Sequence, residues 1–113
     1  MENRNEANLN ELNKLEEYLK DNDYIYTRID NDGDKNPIID YAILNTHQII
    51  VYADADKEIR KWDAICHYGS YGYTEGLLEI YGDIVPENDY DNVIGWLTAD
   101  DVIKLLEKEN KNV

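Results

Sequence analysis

The sequence predicts an α+β fold: a single small domain in which an antiparallel sheet of three to four strands is packed by an N-terminal helix, a central helix and a C-terminal helix. Three observations carry the prediction. Leucines recur at helical spacing near the start (Leu9, Leu12, Leu15, Leu19), and Val102, Ile103, Leu105 and Leu106 repeat the pattern near the end. Between them, His47 to Tyr52 and Ile59 to His67 are rich in β-branched and aromatic residues and separated by the short polar stretch Ala53 to Glu58, as in a hairpin. A length of 113 residues with 42% hydrophobic content suits one modest core.

In chain order, residues 1–7 read as a disordered N-terminus and 8–113 as the domain. The first helix runs from about Asn8 to Lys20, with Asn8 or Asn10 as its cap, and Asp21-Asn22-Asp23 stops it. Tyr24 to Ile29 alternates as a strand, with Tyr24, Tyr26 and Arg28 on one face. Asp30 to Pro37 has the composition of a loop. Ile38 to Leu44 is a short strand or part of a longer excursion. In the hairpin's second strand, Trp62, Ala64 and Cys66 share one face and Asp63, Ile65 and His67 the other.

The turn Tyr68-Gly69-Ser70-Tyr71-Gly72-Tyr73 follows, its glycines permitting positive φ and close backbone approach. A central helix is expected from Thr74 to just before Gly82, with Thr74 as N-cap, Leu77, Leu78 and Tyr81 as its apolar side, and Gly76 costing roughly 1 kcal/mol relative to Ala. Asp83 to Asn92 is a polar connection and Val93 to Leu97 a short strand. Thr98 then caps the last helix, with Asp100 and Asp101 where the helix dipole favours anions.

The formal net charge is −14. That excludes direct nucleic-acid binding and anionic membranes as leading expectations, because phosphate contacts need Lys and Arg. It leaves basic proteins and cations as partners. The charge is uneven: from Trp62 to Ile103 there is no Lys or Arg. The plainer reading of such a surface is solubility. Ten Tyr and no Phe give many rings that keep a hydroxyl for water or a partner. A single Cys forms no internal disulfide, the N-terminus has no signal-sequence character, and no apolar run reaches membrane length, so a cytoplasmic setting is expected.

Motifs for chemistry fail one after another. Cys66 and His67 are adjacent and so face opposite ways on a strand, although Cys66 has a route to His47 across the hairpin. A buried, inert thiol is the expectation. Asp30-x-Asp32-x-Asp34 and Asp54-x-Asp56-x-Glu58 look like starts of a calcium loop, which needs Gly at its sixth position and Glu at its twelfth. Those positions hold Lys35 and Tyr41 from Asp30, Pro37 and Ile43 from Asp32, and Ile59 and Ile65 from Asp54. Gly69, Gly72 and Gly76 match no phosphate loop and have no Lys beside them. Trp62 and Trp96 read as core or half-core residues. No catalytic residue, metal site or cofactor is assigned.

Four stretches nonetheless carry a resemblance: His47-Gln48-Ile49-Ile50-Val51-Tyr52, Trp62 to Tyr73 (WDAICHYGSYGY), Gly76-Leu77-Leu78-Glu79, and Gly95 to Val102 (GWLTADDV). In these the chain resembles a group of small acidic proteins of phages and mobile elements of Gram-positive bacteria. The group has no established activity, so the resemblance transfers no catalytic residue. It implies an accessory role on a mobile element; such accessory proteins include anti-CRISPR and other anti-defence inhibitors, some of which imitate DNA.

The expected function is therefore a non-enzymatic acidic inhibitor that binds a basic, nucleic-acid-handling host protein such as a CRISPR nuclease. Glu75, Glu79, Asp83, Glu87, Asp89 and Asp91 would stand where phosphates normally lie, and Tyr68, Tyr71 and Tyr73 would supply contact area. Glu75 and Glu79 are four apart and would repel on one helical face. The alternative is a cytosolic interaction or oligomerising module without mimicry, and a small hydrolase comes third.

Overall fold

The computed structural model describes residues 8–31, 46–67, 69–86 and 93–111. Two helices, α1 (Asn10–Asp21) and α2 (Ala99–Lys111), enclose five strands: β1 (Tyr26–Asn31), β2 (Thr46–Tyr52), β3 (Arg60–Ile65), β4 (Leu78–Gly82) and β5 (Val93–Leu97). The strands form one sheet in the order β1-β2-β3-β4-β5, each antiparallel to its neighbours. The α+β class stands, with terminal helices on a sheet. Two expectations are corrected: among the described residues the sheet has five strands rather than three to four, and no central helix forms over 74–82.

The central helix fails for reasons of backbone and period. Tyr73–Glu75 makes a single 3₁₀ turn, flanked by Gly72 at φ 92° and Gly76 at φ 74°. The left-handed Gly76 ends the turn before a second can form. Beyond it, Leu78 and Ile80 are buried while Glu79 and Tyr81 face the other way, a period of two. Pairing of Ala64 with Ile80 and Ile65 with Glu79 supplies the ladder partners that a lone helix of this length lacks.

One face of the sheet carries the core. Ile49 and Val51 of β2 oppose Ala64 and Trp62 of β3, and Ile80 of β4 opposes Ala64 from the other side. Onto this face pack Leu12, Leu15 and Leu19 of α1 and Ala99, Val102 and Leu106 of α2. Full burial of each Leu stabilises by roughly 1.5–3 kcal/mol before entropy is counted.

The helix ends are tied to each other. Asn8 Oδ1 accepts the Asn10 N–H at 3.1 Å, and Glu11 reaches across to accept the Ala99 N–H at 2.8 Å. Thr98 and Asp101 form a reciprocal capping box, with Asp101 N–H donating to Thr98 Oγ1 at 3.1 Å and Thr98 N–H to the Asp101 carboxylate at 3.0 Å. The Thr98 backbone N–H, then its side chain, hold the Asp101 carboxyl below its ordinary range.

At the β1 edge a polar network fastens α1 to the sheet. Arg28 donates to Asn13 at 2.7 Å, to Glu16 at 2.9 Å and to Asp30 at 3.0 Å, while the Tyr26 hydroxyl donates to Glu16. These side chains sit on the core face and satisfy one another, which a partly buried guanidinium requires.

Candidate partner-binding surface

The core-face row Asp30, His47, Cys66 tests for an active site first. His47 lies opposite Asp30 in the ladder, and Cys66 donates its N–H to the His47 carbonyl at 2.8 Å, so the hairpin does bring Cys66 and His47 together. His47 Nδ1 sits 2.7 Å from Asp30 Oδ1. Hydrogen bonds from His47 and Arg28 outweigh burial and hold the Asp30 carboxyl below its usual range, so it accepts and Nδ1 carries the proton. The geometry resembles the orienting half of a nucleophile triad.

The thiol does not complete it. Cys66 is 0% exposed, burial pushes it up to about 11, and Sγ points to the Asn8 carbonyl at 3.7 Å. It is a thiol rather than a thiolate at neutral pH. Native protein is expected to react with a water-soluble thiol reagent only at the rate of unfolding, and rapid labelling of the folded chain would overturn this placement. Cys66→Ala should leave partner binding intact.

His67 is likewise structural. Its Nδ1 accepts the His47 N–H at 2.8 Å, and burial, then the neighbouring His47, depress its basicity. Among the described residues, no three His, Cys, Asp or Glu side chains converge in a way that would hold a metal ion. Asp56 instead accepts the Glu58 N–H within the hairpin turn. Asp32 and Asp34 lie outside the described residues, as do residues 1–7, the Ile38–Leu44 stretch, Tyr68, Glu87, Asp89 and Asp91. A cleft of about 250 Å³ opens beside Trp62, Leu106 and Glu109; no Ser, Cys or His among the described residues lines it.

The outer face of β3 and β4 is of another character. Asp63 pairs with Tyr81 and Ile65 with Glu79 across the two strands. Burial, opposed by the hydrogen bond from Gln48 at 2.6 Å and reinforced by the nearby Glu79 charge, pushes the Asp63 carboxyl up from its usual value. Its charged form is therefore disfavoured in the folded state. Folding stability that Asp63 withholds at neutral pH returns as pH falls through its raised folded value, and is fully restored below its unfolded value near ~4. Asp63→Asn should thus melt no lower than the parent at pH 7, with the difference fading in acid; a lower melting temperature at pH 7 would contradict it.

At the β4–β5 junction the register slips. Leu78 pairs with Leu97 but Ile80 with Ile94, so Glu79 faces both Gly95 and Trp96, a bulge. Trp96 takes φ 62°, left-handed geometry that costs an L residue of this bulk roughly 1–3 kcal/mol. Tyr71 packs directly over Gly95, where a Cβ would collide with its own Cβ, and the Tyr71 N–H donates to Glu79 Oε1 at 3.0 Å. Tyr71, Trp96 and Tyr81 are 60, 57 and 56% exposed.

These contacts make one surface: Tyr71 bridges Glu79 and Gly95, Trp96 follows Gly95, and Tyr81 stands two residues beyond Glu79 on the same side of β4. The chain matches no family model, no curated protein and no solved structure.

Of the residues expected to meet a partner, this surface brings together Tyr71 and Glu79. Glu75 and Asp83 are exposed elsewhere, Glu75 on the 3₁₀ turn and Asp83 just after β4. The shared helical face of Glu75 and Glu79 is therefore corrected; one lies on the turn and the other on a strand. Tyr73 is half-buried against the core, which limits its share in any contact. Trp62 is core as expected, whereas Trp96 is not. The signal for Trp96 was Gly95 inside a short strand, which marks a bulge or a close approach.

Proposed function

We propose that this protein is a non-enzymatic binding protein whose acidic surface engages a basic, nucleic-acid-handling protein, as an inhibitor of the anti-CRISPR or anti-defence type would. One observation carries the reading. The described ion pairs, Glu11–Lys14, Glu16–Arg28–Asp30–His47 and Lys61–Glu109, all lie outside the segment from Trp62 to Ile103. That segment holds no Lys or Arg of its own, while it carries Glu75, Glu79, Asp83 and Asp100. Among the described residues the protein pairs its charge at the β1 edge and leaves Glu75, Glu79, Asp83 and Asp100 without an ion-pair partner, where a cationic protein would gain from them.

The three exposed aromatics favour a second reading, an interaction or oligomerising module held by apolar contact. Salt separates the two. A basic partner captured from a bacterial lysate should be released as ionic strength rises and displaced by excess duplex DNA. Binding that is indifferent to both salt and DNA would overturn mimicry and leave the module reading.

A further inference from the structure

We infer that Tyr71, Trp96 and Tyr81, together with the carboxylate of Glu79, form a recognition site for arginine side chains of a protein partner. The inference rests on the acidic-binding reading above and gives its partner a chemistry. The three rings are open to solvent, although for Tyr81 and Trp96 the core face of the sheet is one residue away along β4 and β5. Trp96 is held out on a left-handed backbone position where Gly would sit without strain. Backbone preference does not account for a largely exposed tryptophan there, whereas a ring offered to a ligand does.

Glu79 is positioned rather than loose. The Tyr71 N–H fixes its Oε1 and leaves Oε2 for a second donor. A carboxylate hydrogen-bonded to the Tyr71 backbone, opposite Trp96 across the bulge and two residues from Tyr81, on a segment without a cation of its own, complements one side chain better than any other. Guanidinium is planar, stacks on aromatic faces, and presents a fork of donors to a carboxylate. Lysine ammonium is more strongly hydrated and offers a point charge, so it gains less from the rings.

The test is calorimetric titration of the full chain with nona-arginine and with nona-lysine at about 0.15 M salt. The expected result is binding of nona-arginine at least about fivefold tighter than nona-lysine. Trp96→Gly keeps every charge and relieves the strain, so it should melt no lower than the parent while the preference falls to about twofold or less. Tyr81→Thr, which keeps a β-favouring residue on the strand, should lower it in the same direction.

Equal affinity for the two peptides, or a preference that survives both substitutions, would overturn the arginine site and leave charge-driven binding standing. Failure of both peptides to bind would overturn that underlying reading as well.

Discussion

Gly72→Val is expected to destabilise the domain by about 3 kcal/mol, lowering the melting temperature by about 10 °C or more. Two costs combine. Gly72 sits at φ 92°, and a β-branched residue there is a backbone outlier. A Cβ at this position would also lie 2.7 Å from the Leu77 Cβ and 3.4 Å from the Trp96 Cα. The clash is with the root of the Leu77 side chain, which does not move freely, while the Trp96 Cα stands at contact distance.

Gly69 separates the two costs. Its φ is 88°, yet among the described residues nothing lies within 4 Å of a Cβ built there. Gly69→Val should therefore lose only the strain, roughly 1–2 kcal/mol. Denaturant unfolding of both variants checks the order, and parental stability in both would show that the turn tolerates ordinary residues.

Reversing Glu87, Asp89 and Asp91 to Lys is expected to weaken association with the basic partner at least tenfold, on the order of 1.4 kcal/mol. The loss should fall mainly on the association rate and shrink at high salt. Adding Glu75→Lys and Asp83→Lys, both at exposed positions flanking β4, should deepen it. The control is an equal number of reversals outside the cation-free segment, at Glu17, Asp21 and Glu107, all exposed on the helices. A triple reversal there changes net charge identically. If it weakened binding as much as the first set, the effect would be bulk charge and no oriented acidic face would be needed. If neither set mattered at low salt, the aromatic module reading would replace mimicry, and Tyr71 and Trp96 would be the residues to change.

The sequence by itself determined the terminal helices and the central hairpin. Leu12, Leu15 and Leu19 fall on one stripe of α1, and Thr98 with Asp101 announces the start of α2, because capping and amphipathic period are local properties. The alternation of Trp62, Ala64 and Cys66 against Asp63 and Ile65 is local too, and it correctly placed the thiol in the core.

Only the tertiary structure decided the rest. Leu77 to Tyr81 fits a helical stripe as readily as an alternating strand, and pairing with β3 settles it. Arg28, Glu16, Asp30 and His47 are scattered along the chain and form one network only when α1 lies across β1 and β2. The exposure of Trp96 depends on a one-residue slip between β4 and β5, and a single-residue change of register turns a side chain from core to solvent. The carboxylates of the cation-free segment were countable from the start. Which of them lack a partner, and which stand beside open aromatic rings, depends on strands that meet only in the folded sheet.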